Sequence, residues 1–334
     1  MKKLILLSVL AFLLCLPALS LGQAKVGTSG AQFLEIGISA RAIGMGEAFV
    51  GLADDASALY YNPGGIANME NYELMVTHID YPADIQYEFV GLVVPTPQFY
   101  GNLGLALYWL HTDDMAYTTY AHPEGDGRTF SAGDLALAGT YGASLTDHLS
   151  IGLTMKYIHS FLELETANGW ALDLGIYYNT GYRDFTLCMA LANFGPDMKF
   201  IREEYPLPID FRFGASINLM ESANNKLVWA VQASRPSDNL EQFNTGMEYW
   251  LSDFFAIRAG KKFEEDYTDD SVMPLENEDN TPYDNRNSFN LTSGYTFGFG
   301  LKIPVSMTNM QIDYAYQDMG YLDTVHRFSF DIKF

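Results

Sequence analysis

The amino-acid sequence predicts an all-β protein, a transmembrane antiparallel β-barrel of about 14 strands. Three features lead to this prediction: an N-terminal export signal, long stretches in which apolar and polar residues alternate, and connections that are short at one end of the predicted strands and long at the other. Alternation with a period of two residues is expected where one face of a strand meets lipid and the other does not.

The chain begins with the layout of a secretory signal peptide. Two lysines precede the apolar run 4–14, and the small residues Ser20 and Gly22 would direct cleavage before Gln23. We therefore predict a cleaved signal at 1–22 and a mature protein that is exported and resides in the cell outer membrane.

The composition fits a barrel and excludes several other classes. The 334 residues include 22 Tyr, 22 Phe and 29 Gly, only 18% of the residues are charged, and the formal net charge is -22. An acidic, aromatic-rich chain of this kind is typical of neither a disordered protein nor a nucleic-acid-binding one. After the predicted signal, Cys188 is the only cysteine, so an intramolecular disulfide is not expected.

The alternation is clearest in the final predicted strand. Aromatic or aliphatic residues occupy every second position from 328 to 334, and polar or charged residues stand between them. About fourteen segments of comparable pattern can be counted. They lie near 72–79, 85–95, 101–112, 130–145, 149–165, 169–179, 183–194, 208–219, 226–235, 241–251, 254–264, 288–302, 309–317 and 325–334.

Loop lengths support the barrel topology. An even number of strands brings both chain ends to one side, and outer-membrane barrels have short turns on that side and long loops on the other. A soluble β-sandwich or solenoid is the alternative, but the length of the segments and the terminal Phe334, which resembles the signal read by the barrel assembly machinery, favour the barrel. The short connections are 96–100, 146–148, 180–182, 220–225, 252–253 and 303–308, and the long ones are 113–128, 195–207 and 265–287.

Residues 23–71 differ from the predicted barrel, 72–334. Glycines interrupt short apolar stretches, and 54–59 suggests a brief capped helix. The helix would end at Asn62, because Pro63 disfavours the helical conformation in the residue before it. This region is predicted to be compact and irregular.

Three motifs in this region resemble the N-terminal plug of the long-chain fatty acid transporter (FadL-like) superfamily of outer-membrane proteins. They are SARAIGMGEAFV (39–50), ADDASA (53–58) and NPGGIA (62–67). Shorter phrases resemble the PorV and PorQ branch of the superfamily, which is associated with type IX secretion. These phrases are ALDLG (171–175), ANFGP (192–196) and LPIDFRFG (207–214).

The resemblance implies a 14-stranded barrel whose partly helical N-terminal segment is folded into the lumen. It also implies a structural or gating role for the motif residues. Gly64 departs from the family pattern, which usually has Ala after Asn-Pro. The motif residues are Arg41, Gly44, Gly46, Asp54, Asp55, Asn62, Pro63, Gly64 and Gly65.

No catalytic or metal-binding pattern accompanies these motifs. The six histidines lack metal-ligand spacing, and Cys188 is more typical of a small packing residue than of a nucleophile. The acidic stretch 264–284 could bind a divalent cation, but it lacks the ligand order of an EF-hand, and a solvated loop is the preferred interpretation. Asp54 and Asp55 need only a helix-capping role. We predict a non-enzymatic protein without a cofactor.

Two functions remain open. In the first, the barrel is a component of, or accessory to, type IX protein secretion and binds secretion-system proteins or their cargo through its external loops. In the second, it is a channel for long-chain fatty acids or other hydrophobic small molecules. The predicted lumen face is rich in Gly, Ala, Thr, Asn and Asp, which favours secretion. The expected partners are outer-membrane lipids, the assembly machinery and either secretion proteins or a hydrophobic ligand, but no nucleic acid.

Overall fold

The computed structural model describes residues 27–82, 84–222, 224–264, 294–305, 308–318 and 324–334. Within these ranges a closed barrel of 14 antiparallel strands follows an N-terminal segment of short helical turns, and two small hairpins lie in the connections. The prediction of a 14-stranded antiparallel barrel is confirmed. The predicted signal peptide and the acidic loop 265–287 lie outside the described residues.

The strands are numbered in chain order. β4 and β5 form one small hairpin, β10 and β11 form the other, and all the remaining strands belong to the barrel. The strands are β1 (Glu73–Tyr81), β2 (Ile85–Thr96), β3 (Gly101–Thr112), β4 (Met115–Ala116), β5 (Thr129–Phe130), β6 (Ala132–Ser144), β7 (Leu149–Leu162), β8 (Glu165–Asn179), β9 (Thr186–Phe194), β10 (Met198–Phe200), β11 (Glu203–Tyr205), β12 (Asp210–Glu221), β13 (Asn225–Pro236), β14 (Gln242–Leu251), β15 (Phe255–Glu264), β16 (Tyr295–Val305), β17 (Thr308–Asp318) and β18 (Thr324–Lys333).

The first and last strands close the barrel. Val76 of β1 lies opposite Val90 of β2 on one side and Phe330 of β18 on the other. Because closure pairs every barrel strand on both sides, no strand presents an unpaired edge to the bilayer. Each predicted segment overlaps one of the barrel strands, and residues 288–293 of the predicted segment 288–302 lie outside the described residues.

One predicted turn is wrong. The sequence suggested a break at 166–168, before Gly169, but the chain turns earlier, at Glu163 and Leu164, and Glu163 has a φ of 55°. Asn168 and Gly169 pair instead with His159 and Ile158 in the β7–β8 ladder. An Asn-Gly pair is a common turn signal, but here Gly169 leaves room for the side chain of Met198 from a neighbouring hairpin.

Burial alternates along the barrel strands as predicted. In β18, Arg327, Ser329 and Asp331 are buried, whereas Phe328 and Phe330 between them are exposed. The outward aromatic and aliphatic side chains meet the lipid phase, and the inward polar ones face the interior. Among the described residues, no helix is long and apolar enough to cross a bilayer.

The two ends of the barrel differ. We call the end that carries the β4–β5 and β10–β11 hairpins the hairpin end and the opposite end the turn end. The turn end has tight connections, such as 145–148 and 252–254, where Ser252 and Asp253 have φ values of 55° and 54°.

The N-terminal segment, which we define as 27–71, contains a 3-10 turn at Gln32–Glu35, helix α1 (Ala40–Gly44), helix α2 (Ala58–Tyr61) and a 3-10 turn at Pro63–Asn68. The Ser39 hydroxyl caps α1 by accepting a bond from the Ala42 amide at 3.3 Å. The helix predicted over 54–59 begins later, at Ala58, because the Asp55 carboxylate bonds the Ser57 amide at 3.0 Å and holds a turn before it.

Candidate functional site: the contact between the N-terminal segment and the barrel

Arg41 of α1 lies at the centre of a buried group of charges. Its Nε and Nη2 atoms each donate to the Glu248 carboxylate of β14 at 2.8 Å. Its Nη1 atom lies 2.6 Å from Asp54 and 2.8 Å from Asp55, both in the N-terminal segment. The bidentate pair fixes the plane of the guanidinium. Arg41 therefore links the N-terminal segment to the barrel and also ties the segment to itself.

The charge network continues across the barrel. Arg258 of β15 donates to Glu248 at 2.6 Å and lies 2.6 Å from the Asp313 carboxylate of β17. Glu248 thus bridges two arginines, and each of these side chains is at most 9% exposed. Buried ions of this kind are stable only when each is paired, because desolvation of an unpaired one is strongly unfavourable.

The contact between Arg41 and its carboxylates shifts the pKa values of Asp55 and Arg41. Burial alone would raise the pKa of the Asp55 carboxyl, but the Arg41 and Lys333 charges and the Ser57 hydroxyl outweigh burial and lower it. Burial alone would lower the pKa of Arg41, and the carboxylates of Asp54 and Glu248 raise it well above its ordinary value. The expectation that Asp54 and Asp55 need only a capping role is therefore wrong, because both carboxylates bind Arg41.

A second charged contact holds the segment near the turn end. The Glu73 carboxylate of β1 accepts a bond from the Ala56 amide at 2.8 Å and lies 3.1 Å from the Lys333 ammonium of β18. Glu73 is buried, so its charge is balanced locally by that lysine. The strand pair that closes the barrel thus also binds the N-terminal segment.

Glycines on the inward face of the strands allow the segment backbone to approach closely. A Cβ on Gly260 of β15 would lie 2.7 Å from the Gly46 Cα, and one on Gly246 of β14 would lie 2.6 Å from the Met45 carbonyl carbon. Gly46 itself has a φ of 66°. Such distances leave no room for a side chain, so Gly246 and Gly260 are required where the segment backbone lies against them.

The Asn62-Pro63 turn sits between strands on the other side of the barrel. The Asn62 side chain donates to the Val50 carbonyl at 3.2 Å and to the Ile176 carbonyl of β8 at 3.1 Å, and its oxygen accepts from the Gly64 amide. A Cβ on Gly152 of β7 would lie 2.5 Å from the Gly64 nitrogen. Asn62 therefore joins two parts of the segment to the barrel wall.

Two cavities flank the segment. The cavity at the hairpin end has a volume of about 680 Å³ and reaches Glu35 and Tyr61 of the segment. The cavity at the turn end has a volume of about 280 Å³ and is lined by residues such as Asp54 and Lys333. Among the described residues, no cluster of three or more His, Cys, Asp or Glu side chains could hold a metal ion.

Comparison with known proteins decides the family. The sequence profile described as "Type IX secretion system protein PorV" matches residues 20–236, more than half of the chain. The chain belongs to the PorV family. A search of curated protein sequences finds no significant match.

Solved structures share the fold of this PorV-family barrel. The toluene transporter TodX of Pseudomonas putida has a TM-score of 0.56 at 11% identity, covering 93% of this chain and 99% of TodX. The toluene transporter TbuX of Ralstonia pickettii has the same TM-score and identity, with 89% and 97% covered. A FadL homologue of Pseudomonas aeruginosa has a TM-score of 0.52 at 10% identity, with 89% and 98% covered. These similarities show that the chain shares the barrel fold of these three proteins.

The structure brings most of the motif residues of this family member against the barrel. Arg41, Asp54 and Asp55 form one charge group. A Cβ on Gly44 would lie 3.0 Å from the Gly298 Cα of β16, so the two backbones are in close contact. Gly46 contacts β15 in the same way. Asn62, Pro63, Gly64 and Gly65 form the turn beside β7 and β8.

Phe334 lies apart from these motifs. Its ring stacks on Tyr72 with centroids 5.6 Å apart, and its backbone amide donates to the Tyr72 carbonyl at 2.9 Å. The residue is therefore part of the seam between β1 and β18. Its predicted role as an assembly signal stays a prediction.

The sequence motifs do not include the barrel residues of this charge network. Glu248 binds Arg41, and Arg258 links Glu248 to Asp313. The sequence does contain a signal for these residues, because each is a charged residue at a strand position whose side chain faces inward. A charged side chain on that face needs a partner inside the barrel. Cys188 is buried and inward-facing, as predicted, with its thiol 3.9 Å from the Gly51 carbonyl.

Glu35 makes the stability of the protein depend on pH. Burial, together with the charges of Asp238 and Asp210, raises the pKa of its carboxyl to about 7, although Arg212 and Lys262 act to lower it. The unfolded value is near 4.5, so ionisation of Glu35 weakens the folded state as pH rises from about 4.5 to about 7. We expect Glu35→Gln to be more stable than the parent at pH 8 by about 1–3 kcal/mol and equally stable at pH 4.

This expectation is checked by urea unfolding of both proteins in vesicles at pH 4 and pH 8. Glu124→Gln, in the exposed β4–β5 connection, is the matched control and should not differ from the parent at either pH. An equal effect of Glu35→Gln at both pH values would contradict the burial of an ionisable Glu35.

Proposed function

We propose that this PorV-family barrel is a non-enzymatic component of, or accessory to, type IX protein secretion. In this proposal the N-terminal segment is a plug that closes the lumen, and the hairpin end faces outside and binds secretion-system proteins or their cargo. The observation that carries the proposal is the PorV match over residues 20–236. The cleaved signal at 1–22 is part of the same proposal.

Contacts with strands around the barrel support the plug. The segment bonds Thr296 of β16 through the Gly46 amide at 2.9 Å and Gln232 of β13 through the Val50 amide at 3.0 Å. On the far side, its Ile66 carbonyl accepts from Asn102 of β3 at 2.7 Å. A segment held from several directions by buried bonds resists displacement, which suits a closed barrel that works by binding proteins rather than by conduction.

A channel for hydrophobic small molecules is the second candidate, supported by the fold shared with the toluene transporters TodX and TbuX. The hairpin-end cavity argues against it. Its lining includes Glu35, Asp134, Arg212 and Arg327, and a hydrocarbon placed there would desolvate charges without bonding them. Binding pockets for apolar ligands are lined mainly by apolar side chains.

Affinity purification from outer membranes in mild detergent tests the two candidates. Mass spectrometry would identify the co-purifying proteins and extracted lipids. Recovery of secretion-system proteins or exported cargo in near-equal amount supports the proposal. A bound hydrophobe without a protein partner would reject it in favour of the channel.

A matched pair of surface variants sharpens the experiment. Tyr120, Leu164 and Ile201 are exposed apolar residues at the hairpin end, whereas Phe99 is exposed at the turn end. We expect the triple serine variant of the first three to lose at least about half of the co-purified partner, because exposed apolar residues contribute strongly to interfaces. Phe99→Ser should retain the partner, and equal losses in both variants would contradict docking at the hairpin end.

A further inference from the structure

The hairpin-end cavity contains buried polar atoms that have no partner within the described protein. They are the Tyr61 Oη, Asp210 Oδ1, Asn244 Oδ1 and Arg327 Nε atoms, and their residues are 2%, 7%, 1% and 2% exposed. All four residues line this one cavity. Buried polar groups in folded proteins are normally hydrogen-bonded, so four such atoms around one space indicate a polar occupant.

These atoms require an occupant that both donates and accepts hydrogen bonds. The oxygens of Asp210 and Asn244 can only accept, and the Arg327 Nε can only donate. They lie on different walls, since Arg327 is on β18 and the other two are on β12 and β14. A molecule with several hydroxyl groups satisfies both kinds of wall at once, because each hydroxyl donates one bond and accepts others.

The charges of the cavity disfavour a strongly charged occupant. Arg212 is paired with Asp210 at 2.5 Å, and Lys262 lies 3.6 Å from Glu47. The remaining cation, Arg327, already donates to Gln317 and, at 2.9 Å, to the Tyr81 hydroxyl. An anion would meet the acidic side chains and a cation would meet the arginines, so the lining suits a neutral molecule.

An aromatic ring and the size of the cavity narrow the class further. The half-buried Tyr81 ring lines the cavity 5.5 Å from the Arg327 guanidinium, so it flanks a hydrogen-bonding group. A flat ring beside a planar polar side chain suits a sugar ring, which has an apolar C–H face and hydroxyl edges. The volume of about 680 Å³ is in the range of small-molecule sites and exceeds what one ion or one water needs.

We propose that the hairpin-end cavity binds a short neutral oligosaccharide. Asp210 and Asn244 accept bonds from its hydroxyls, Arg327 donates to it, and the Tyr81 ring packs against a sugar face. This binding activity is separate from the secretion role and would stand if that role were rejected. The sugar could be a free oligosaccharide or the glycan of a surface glycolipid, which share this chemistry.

The test measures binding to the folded full-length barrel in a detergent without a sugar headgroup, since a maltoside would compete for the site. The probes are neutral di- to tetrasaccharides of glucose, mannose and galactose, their uronic-acid counterparts, and polysaccharide released from lipopolysaccharide, followed by saturation-transfer NMR and calorimetry. Binding of a free neutral oligosaccharide identifies a soluble sugar site, and binding of the released polysaccharide alone identifies a glycolipid glycan.

Asn244→Ala is the decisive variant. We expect at least ten-fold weaker binding, because an acceptor with no partner in the described protein is removed. Asn244→Asp keeps an acceptor oxygen and should retain binding. This variant still tests the acceptor role if the alanine variant does not fold. Asn218→Ala removes another buried lumen asparagine, one that bonds Asp184 near the turn end, and should bind as the parent does.

Three outcomes would overturn the inference. The first is no binding of any neutral probe by a barrel shown to be folded, which would leave water as the occupant. The second is tighter binding of the uronic-acid probes than of the neutral ones. The third is unchanged binding by Asn244→Ala, which would move the site away from this cavity.

Discussion

Arg41→Met is expected to weaken the contact between the N-terminal segment and the barrel by about 3–5 kcal/mol, the usual cost of removing one partner from a buried ion pair. Three carboxylates, those of Asp54, Asp55 and Glu248, bind this guanidinium. Glu248 keeps Arg258 as a bonded cation, whereas the buried Asp55 loses the Arg41 bond and keeps only the weaker influence of the Lys333 charge. The variant therefore leaves the Asp55 carboxylate buried without its bonded arginine, and the segment can relieve this by moving toward water.

Two measurements would detect the release of the N-terminal segment from the barrel. Limited proteolysis of the barrel in vesicles should cut within residues 27–71 in Arg41→Met and leave the parent intact. Planar-bilayer recording should show a conductance at least about ten-fold above that of the parent, because release of the proposed plug would open a water-filled path. Arg41→Lys, which keeps the charge but loses the bidentate geometry, should fall between the two.

Arg128→Met is the matched control for charge removal. Arg128 also donates two bonds to a carboxylate, both to one oxygen of Asp126, but both residues lie in an exposed connection at the hairpin end. Water solvates both groups after the change, so neither proteolysis nor conductance should differ from the parent. Arg41→Met behaving like Arg128→Met would show that the buried network does not hold the segment.

The sequence predicts the barrel strands well because each strand's pattern depends on its own residues and not on distant ones. A strand between lipid and a polar interior must alternate, so the positions of β12 and β18 follow from their own residues. The partners of Arg41 could not be found this way, since Glu248 is 207 positions away and nothing near either residue specifies their contact. They meet only because the N-terminal segment packs against the inward face of β14.

The glycines on the inward face of the strands are a second feature whose role cannot be inferred from the sequence alone. Gly152, Gly246 and Gly260 are, in sequence, weak strand formers at inward parity. Their meaning appears only when the N-terminal backbone is placed against them, because each distance from a built Cβ involves an atom at least about ninety positions away in the chain. The misplaced turn at 166–168 has a related cause, since Gly169 serves a contact between elements and not a bend.

Gly260→Val is the second change for which we expect a large effect. A Cβ at this position would lie 2.7 Å from the Gly46 Cα, and the nearest atoms are all backbone atoms of the segment, which cannot rotate away. Overpacking a tight contact costs about 3 kcal/mol where the neighbours are rigid. Valine otherwise favours strands, so the barrel itself should still form. We therefore expect a folded barrel with a displaced segment.

Gly139→Val separates this effect from a general response to valine. Gly139 of β6 is exposed on the outer face, and a Cβ there would have no atom within 4 Å. A heat-modifiability assay should show both variants folded, whereas proteolysis within residues 27–71 and raised conductance should appear in Gly260→Val alone. If Gly260→Val kept the protected segment and low conductance of the parent, the segment would have to be seated differently against β15. The double variant of Gly260→Val and Arg41→Met tests whether both changes release the same segment. Because both sites hold α1 and the residues that follow it against the barrel, we expect its conductance to be no higher than that of either single variant.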